Sequence, residues 1–307
     1  MSVTTVDVPA PFVEIFERAE QYARRYFGTQ NQDPTRGTIE ISGERYILMR
    51  ASAMSFEFTE LLCSIYREGS ESEARRLAAN LLFDLGHAIG KSDACHFHSH
   101  MQVTDPVERL SIGPVQFAFS GWASVKIDPS SRVMPNEIYY LIYDHPYSFE
   151  ADSWIRRGKT AAEPVCAMSA GYSSGWCEES FGVPLAAVEI SCRAQGDDAC
   201  RFIMSPPWRL QEHLNNYQRE SAGAARKANG NPLPRFDAST AQLPEFFSRK
   251  RLEDKLRRSQ RHIEQLLTER EELMREISSL RSKHSIPLRR SAILRPLCSS
   301  YPREPWV

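Results

Sequence analysis

The sequence predicts an α+β fold with an N-terminal helix-and-sheet domain, a smaller α+β domain and a C-terminal helix. Three patterns predict it. Apolar residues recur at helical spacing in the first 90 residues, and strand-like apolar and aromatic stretches follow between residues 113 and 204. Residues 248–284 then carry a heptad repeat, which is typical of a long helix that pairs with another helix.

Composition and charge exclude several classes of protein. Hydrophobic residues make up 41% and charged residues 25% of the 307 residues, as in ordinary globular proteins. The net charge of -1 gives no general attraction to nucleic acid or to a membrane surface. We find no apolar run of the roughly 18 residues that span a bilayer and no signal peptide. Seven unevenly spaced cysteines fit a reducing compartment, so we expect a cytoplasmic protein.

The first element, within residues 1–34, is predicted to be an amphipathic helix over residues 11–28. Its apolar residues fall at helical spacing, and Gly28 ends it. These residues are Phe12, Ile15, Phe16, Ala19, Tyr22 and Ala23. The helix could pair with its copy in a dimer, or it could cover an edge of the next domain.

Residues 35–147 are predicted to form the helix-and-sheet domain. It begins with strand patterns at residues 38–41 and 45–49. Helical patterns follow at residues 52–67 and 71–90, and Gly90 is expected to end the second helix.

Three histidines, His96, His98 and His100, alternate after these helices. On a strand, a period of two would place all three imidazoles on one face, where they could bind a metal or an anion. The alternative is a polar, exposed junction between a helix and a strand. We favour the alternative, because Asp93 and Cys95 do not complete a recognisable ligand spacing.

Two aromatic stretches, residues 113–127 and 138–145, are predicted to be paired strands joined by a turn at residues 128–131. Side chains alternate between the faces of a strand, so one set should line an apolar pocket suited to a small molecule. The candidate pocket residues are Trp122, Tyr139, Tyr143, Phe149 and Tyr172. For each of them, packing in the core is an equally good interpretation.

Residues 148–208 are predicted to form the smaller α+β domain, which holds four of the seven cysteines. Thiolates and carboxylates both bind zinc, and a tetrahedral site needs four ligands. Cys166, Glu189, Cys192 and Cys200 would supply them. The residues alone leave a second interpretation open, in which these are buried structural thiols.

The C-terminal part is predicted to comprise a polar linker (209–247), a coiled-coil helix (248–284) and a disordered tail (285–307) that could also mark a chain ended before its next domain. The heptad positions are Leu252, Leu256, Ser259, Ile263, Leu266, Arg270, Leu273, Ile277 and Leu280. A parallel homodimeric coiled coil is the preferred interpretation. The alternative is a single charged helix that packs on its own domain, since Arg270 weakens a dimer seam.

Several motifs in the central stretch resemble the four-vinyl-reductase domain, the second part of the sensor region in the XylR/DmpR/MopR group of aromatic-responsive bacterial regulators. They are Val165-Cys166, Gly171 to Trp176, Phe181-Gly182 and Glu189 to Arg201, and Ser148 to Ala151 resembles the motif that joins this domain to its N-terminal companion. The resemblance covers roughly residues 35 to 208 and is strongest from 139 to 204. It implies a structural zinc on Cys166, Glu189, Cys192 and Cys200, and thus a zinc-bearing second domain.

The resemblance also implies a function. The N-terminal domain would hold a small aromatic effector, and the coiled coil would pass the signal to an output domain or protein. A tryptophan that helps to hold a phenolic hydroxyl in the family corresponds to His145, so phenol itself is not implied. No GxxxxGK[ST] loop of a motor ATPase follows.

Two alternatives remain. The chain could be a dimeric scaffold or carrier for a larger hydrophobic ligand, or a zinc-dependent enzyme. We expect no enzyme, because the sequence has neither a GxGxxG fingerprint nor a GxSxG elbow and the four zinc ligands leave no open position. No direct nucleic-acid contact is evident.

Overall fold

The structure is a computed structural model that describes residues 5–66, 70–224, 236–239, 241 and 243–283. It divides after Arg249 into a folded unit and a second unit that contains most of the last helix. The helices are α1 Val13–Phe27, α2 Phe56–Ile65, α3 Glu71–Met101, α4 Pro106–Phe119, α5 Phe149–Arg156, α6 Ala167–Phe181, α7 Leu210–Ala224 and α8 Phe246–Lys283. The strands are β1 Val6–Asp7, β2 Asn31–Asp33, β3 Thr38–Ile41, β4 Glu44–Tyr46, β5 Ala123–Ile127, β6 Leu141–Ser148, β7 Ala186–Ser191 and β8 Cys200–Ser205.

The central sheet has the strand order β1-β5-β6-β8-β7, and only β1 runs parallel to its neighbour. Alternation along the strands gives the sheet two apolar faces. On one face Tyr143 and Phe202 join the large core that helices α1, α3, α4 and α6 complete. On the other face Ile142 and Ile203 pack with Leu214 of α7. Strands from both predicted domains therefore share one sheet, and α+β is the observed fold class.

Helix α1 buries its apolar face within the folded unit, as Phe16, Ala19 and Ala23 are almost completely inaccessible to solvent. The helix lies against α4. Its buried face thus packs within the same chain, and the predicted dimer contact stays a prediction. The small sheet β2-β3-β4 follows it, and its last strand is shorter than the predicted residues 45–49.

Helices α3 and α6 pack against each other backbone to backbone. A Cβ atom added at Gly90 would lie 2.1 Å from the carbonyl oxygen of Tyr172, and one at Gly171 would lie 2.1 Å from that of Phe83. Gly86 and Gly175 are equally tight against the opposing helix. The prediction that α3 ends at Gly90 was wrong, because this glycine provides close approach in the middle of a longer helix.

The histidine triple lies in the last turns of α3 and not on a strand. His98 is buried, and its Nε2 lies 3.2 Å from the carbonyl oxygen of Arg109. Burial lowers the pKa of His98 to about 4. His96 and His100 stand one turn apart with ring centroids 4.1 Å from each other. A helix turns by 3.6 residues, so the three imidazoles do not share a face or a site.

The predicted strand over residues 113–127 was also wrong in its first half, which belongs to α4. The signals for a helix start lie just upstream. The Asp105 carboxylate accepts hydrogen bonds from the backbone amides of Val107 and Glu108, and Pro106 occupies the first helical position. Of the aromatic residues that suggested alternation, Phe117 falls on the buried side of this helix and Trp122 lies just before β5.

Part of the predicted linker, residues 209–247, is folded. Helix α7 lies within it, and its Leu210 and Leu214 are completely buried against the sheet. The polar composition reflects the outer face of this helix. The predicted tail, residues 285–307, lies outside the described residues.

Helix α8 occupies residues 246–283, where a helix was predicted. Its apolar heptad residues are exposed in the single chain; Leu256, for example, is 61% exposed. Pairing with a second copy stays a prediction. Among the described residues, none of the helices has the length and apolar character needed to cross a bilayer.

Candidate functional site

The first candidate site is a small cavity of about 40 Å³ between α4, α6 and the strands β5 and β6, which we call the inner cavity. It is lined by Leu110, Gly113, Pro114, Phe117, Val125, Ile127, Leu141, Tyr143, His145, Tyr172, Ser173, Trp176 and Cys177. Apolar and aromatic side chains dominate, with few polar groups. This is the usual composition of a small-molecule site.

Two polar groups in this lining, the His145 imidazole and the Tyr143 hydroxyl, have no hydrogen-bond partner among the described residues, and His145 carries two such atoms. His145 is completely buried on β6. Burial lowers the pKa of His145 to about 3, so the imidazole is neutral, with one donor and one acceptor nitrogen. The rings of Phe202 and Phe117 lie 4.6 and 5.8 Å away. An unpaired buried polar group costs about 1–3 kcal/mol, which a hydrogen bond from a ligand would recover.

Two more of the predicted pocket residues line the inner cavity, Tyr143 and Tyr172. The Tyr172 hydroxyl lies 2.8 Å from a carboxylate oxygen of Asp93 and 2.8 Å from the amide oxygen of Gln116. Its position is thereby fixed by α3 and α4. Tyr139 lies elsewhere: it is completely buried and packs edge-to-face on Phe181 at 4.9 Å.

The last two predicted pocket residues, Trp122 and Phe149, line a second and larger space of about 690 Å³ that we call the outer cleft. Its lining comprises Arg50, Ala51, Ser52, Ala118, Gly121, Trp122, Ala123, Ser124, Tyr147, Ser148, Phe149, Asp152, Ser153, Arg156 and Arg157. Apart from Tyr139, the predicted pocket residues therefore line two adjoining spaces, and not a single pocket.

Phe117, Trp176 and Cys177 of the inner cavity were not among the predicted pocket residues. Phe117 was missed because its segment was interpreted as a strand. The cap at Asp105 and the apolar spacing from Leu110 would have identified it as the inner face of a helix.

The second candidate site is the cluster of Cys166, Glu189, Cys192 and Cys200, which the structure brings together as the sequence predicted. One candidate ligand atom from each residue lies within 4.8 Å of all the others. The Sγ atoms of Cys166 and Cys200 are 3.6 Å apart, and those of Cys200 and Cys192 are 3.9 Å apart. Two sulfur ligands at about 2.3 Å from a tetrahedral zinc ion would lie about 3.8 Å apart.

The electrostatics of the cluster also suit a cation. Burial raises the pKa of the Cys166 thiol and of the Glu189 carboxyl well above their usual values. Hydrogen bonds from the other two thiols lower the pKa of Cys192 to about 3. The second oxygen of Glu189, Oε1, is buried with no hydrogen-bond partner among the described residues. A divalent cation would allow the remaining acids to ionise and would use this oxygen, so the four residues fit a zinc ion.

Neighbouring groups orient the cluster. The Ser148 hydroxyl lies 3.3 Å from Cys166 Sγ, and the Glu150 carboxylate accepts hydrogen bonds from the amides of Met168 and Ser169 in the first turn of α6. The Asp197 carboxylate accepts one from the Cys192 amide. These contacts give Ser148 and Glu150 a physical role: they hold the start of α6, and with it Cys166, against the end of β6.

Comparison with known families gives two adjacent matches. Residues 30–129 match the family described as "Activator of aromatic catabolism", XylR_N, and residues 147–206 match the four-vinyl-reductase domain. The chain is 23% identical over 192 residues to the phenol regulator MopR of Acinetobacter guillouiae and 25% identical over 167 residues to the transcriptional regulatory protein XylR of Pseudomonas putida. These alignments cover 62% and 54% of this chain but only 33% and 28% of those proteins.

A solved structure has a similar fold. The phenol-responsive sensory domain of the transcription activator PoxR, solved with phenol, aligns with a TM-score of 0.53 and 20% identity. The alignment covers 68% of this chain and 96% of that domain. At this identity the likeness concerns the fold.

Proposed function

We propose that the chain is a regulatory module that binds a small aromatic effector in the inner cavity. The proposal starts from the matches of residues 30–129 to XylR_N and of residues 147–206 to the four-vinyl-reductase domain. The observation that carries the proposal is the neutral, unpartnered imidazole of His145 among aromatic rings. It would exchange a hydrogen bond with a hydroxyl or carbonyl of the effector. The chain spans about a third of the length of its curated relatives. Its control of an output domain or protein is therefore also a proposal.

The inner cavity must widen to admit such a ring. Its 40 Å³ exceeds the ~10–15 Å³ that one water needs but is far below the roughly 150 Å³ of an apolar cavity known to take up benzene. Side chains of the lining therefore have to move apart on binding. This requirement disfavours a carrier of larger hydrophobic molecules, which the sequence had left open.

His145→Phe tests the proposal, because it keeps an aromatic ring and removes both nitrogens. We expect the affinity for phenol to fall about tenfold, since one hydrogen bond to a buried group is lost, while the affinity for toluene stays within a factor of two. Isothermal titration calorimetry with both compounds measures this. Tyr140→Phe, a residue that packs on the other face of the sheet, is the matched control and should change neither affinity. Equal losses for phenol and toluene would show that His145 only fills space.

We propose further that Cys166, Glu189, Cys192 and Cys200 hold a structural zinc ion. The site would tie the first turn of α6 to the turn between β7 and β8. With all four positions filled by protein atoms, it would have none left for a substrate or an activated water. A regulatory and non-enzymatic role follows from this proposal. The six cysteines of the described part are free thiols, which supports a reducing cytoplasm as the working compartment.

Signal transfer is proposed to run from α6 through α3 to the start of α8. The Phe246 ring lies 4.1 Å from the His87 ring on α3. The Arg249 guanidinium donates to both carboxylate oxygens of Asp84 at 2.7 and 2.8 Å, and Arg76 forms an ion pair with Glu245 at 3.3 Å. An effector that changes the position of α6 would thereby bias the first turn of α8. It must bind two states of the module unequally to do so.

The proposed partner of α8 is a second copy of the chain. Exposed heptad leucines are stable in water only when another helix covers them, so the full chain is expected to be a dimer at micromolar concentration by light scattering. Leu256→Glu with Leu273→Glu should give a monomer with unchanged helix content in the folded unit. Gln265→Glu, outside the heptad positions, should stay dimeric. A monomeric parent protein would refute the coiled coil without affecting the effector site.

A further inference from the structure

The side chain of Trp122 separates the inner cavity from the outer cleft. On the cavity side its ring lies 4.8 Å from Tyr172 and 5.2 Å from Phe117, centroid to centroid, and both of these residues line the cavity. On the other side it lies 5.3 Å from Phe149, which lines the cleft. Trp122, together with the rings of Phe117 and Tyr172 that line the cavity, thus forms the wall between the two spaces.

Ring contacts, and not hydrogen bonds to the described residues, hold the indole of Trp122 in place. The backbone is fixed, because the Trp122 amide donates to the Phe117 carbonyl at 2.9 Å and its carbonyl accepts from the Phe149 amide at 2.8 Å. The indole N–H, by contrast, makes no hydrogen bond within the described chain. The side chain is only half-buried. Rotation into the cleft therefore breaks no polar contact of the indole with these residues.

The rim of the outer cleft is basic. It carries Arg50, Arg156 and Arg157, and the Glu57 carboxylate accepts hydrogen bonds from both Arg50 and Arg157. Asp152, the acidic residue in the lining, is bound to Arg193. The guanidinium of Arg156 forms neither an ion pair nor a hydrogen bond with any described residue. The Arg156 guanidinium is therefore available to bind an anion. It lies in the same cleft as the aromatic side chains of Trp122 and Phe149, which we call the aromatic floor.

From this arrangement we infer that the outer cleft is the entrance to the inner cavity and itself binds aromatic acids before they enter, with Arg156 binding the carboxylate in the cleft and Trp122 acting as the gate. The inference rests on the proposed function and adds the class of effector to it. A guanidinium binds a carboxylate through two parallel hydrogen bonds, and the aromatic floor suits the ring of the same molecule. The cleft volume of about 690 Å³ lies within the range of small-molecule sites.

Benzoate and benzyl alcohol are nearly equal in size but differ in charge. A comparison of the two therefore separates the effect of charge on binding from the effect of shape. We expect the full chain to bind benzoate more tightly, and Arg156→Gln to weaken benzoate binding about tenfold while benzyl alcohol changes less than twofold. Arg36→Gln, an exposed arginine outside both spaces, is the control and should leave both affinities unchanged. Calorimetry at two salt concentrations gives these values, and the benzoate affinity should fall as salt rises.

The gate is tested by rate. In stopped-flow measurements of tryptophan fluorescence, Trp122→Ala should raise the association rate of both probes about tenfold, with Trp176 as the remaining reporter in the cavity lining. Unchanged rates would refute the gate. If benzyl alcohol binds but benzoate binds no better, and Arg156→Gln has no effect, the anion selectivity is wrong and the proposed function stands. If neither probe binds the parent protein, both the anion selectivity and the proposed function are refuted.

Discussion

Replacing Cys192 or Cys200 by alanine is expected to abolish zinc binding and most of the soluble, folded protein. Each variant removes one of the four ligands. The remaining thiol and carboxyl groups then stay buried without a cation to balance their charge. Structural zinc contributes about 10–16 kcal/mol of apparent binding free energy in zinc-finger peptides, comparable with the whole stability of a typical domain. Because this core is much larger than that of a zinc finger, we expect a loss of several kcal/mol. Elemental mass spectrometry and urea unfolding measure metal content and stability.

Cys177→Ala is the matched control for these variants. Its thiol is also buried, but it lines the inner cavity and not the metal cluster. It should keep one zinc ion per chain and lose roughly 1 kcal/mol for the removed sulfur. Stoichiometric metal in both the Cys192 and the Cys200 variants would refute the ligand set. Metal that is lost from all three would indicate that the ion depends on general folding and not on these ligands.

The second large effect is expected from Gly90→Ala. The new methyl group would lie 2.1 Å from the Tyr172 carbonyl oxygen, and the atoms that would have to move belong to the backbone of α6. Alanine favours a helix over glycine by about 1 kcal/mol, whereas forcing the two helices apart costs about 3 kcal/mol or more. The net result is a strongly destabilised protein, measured as a lower midpoint of urea unfolding.

Ser92→Ala provides the comparison, since Ser92 is exposed on the same helix. It gains helix propensity without a clash and should change the free energy of unfolding by less than about 0.5 kcal/mol. If Gly90→Ala is as stable as Ser92→Ala, the close approach of α3 and α6 is wrong. The experiment therefore tests the packing that supports one wall of the inner cavity.

The four metal-cluster residues were predictable because the chemistry of their side chains restricts the choice. The spacing of Glu189, Cys192 and Cys200 places them around one turn between adjacent strands. Cys166 was the fourth candidate by ligand type alone, and the family resemblance strengthened it, because its proximity depends on how α6 packs against the sheet. His145 was likewise identified through the neighbouring Ser148-Phe149-Glu150 motif.

The inner cavity was predicted less well, for a physical reason. Short apolar runs such as residues 113–119 fit a strand pattern as well as a helix pattern, and the cap at Asp105 with the apolar spacing from Leu110 is needed to distinguish them. The partition at Trp122 depends on three rings from three separate segments. Local sequence patterns do not encode such a long-range arrangement.

The contact of α3 with α6 has a consequence for how this protein can evolve. Where two backbones touch, there are no intervening side chains whose exchange could gradually retune the geometry. Cavity positions on other elements, such as Phe117 on α4 and His145 on β6, can vary in effector preference without changing the glycines between α3 and α6. The effector specificity could change at these positions while the path from α6 through α3 to Phe246 keeps its structure. Effector binding and signal transfer could then evolve independently of each other.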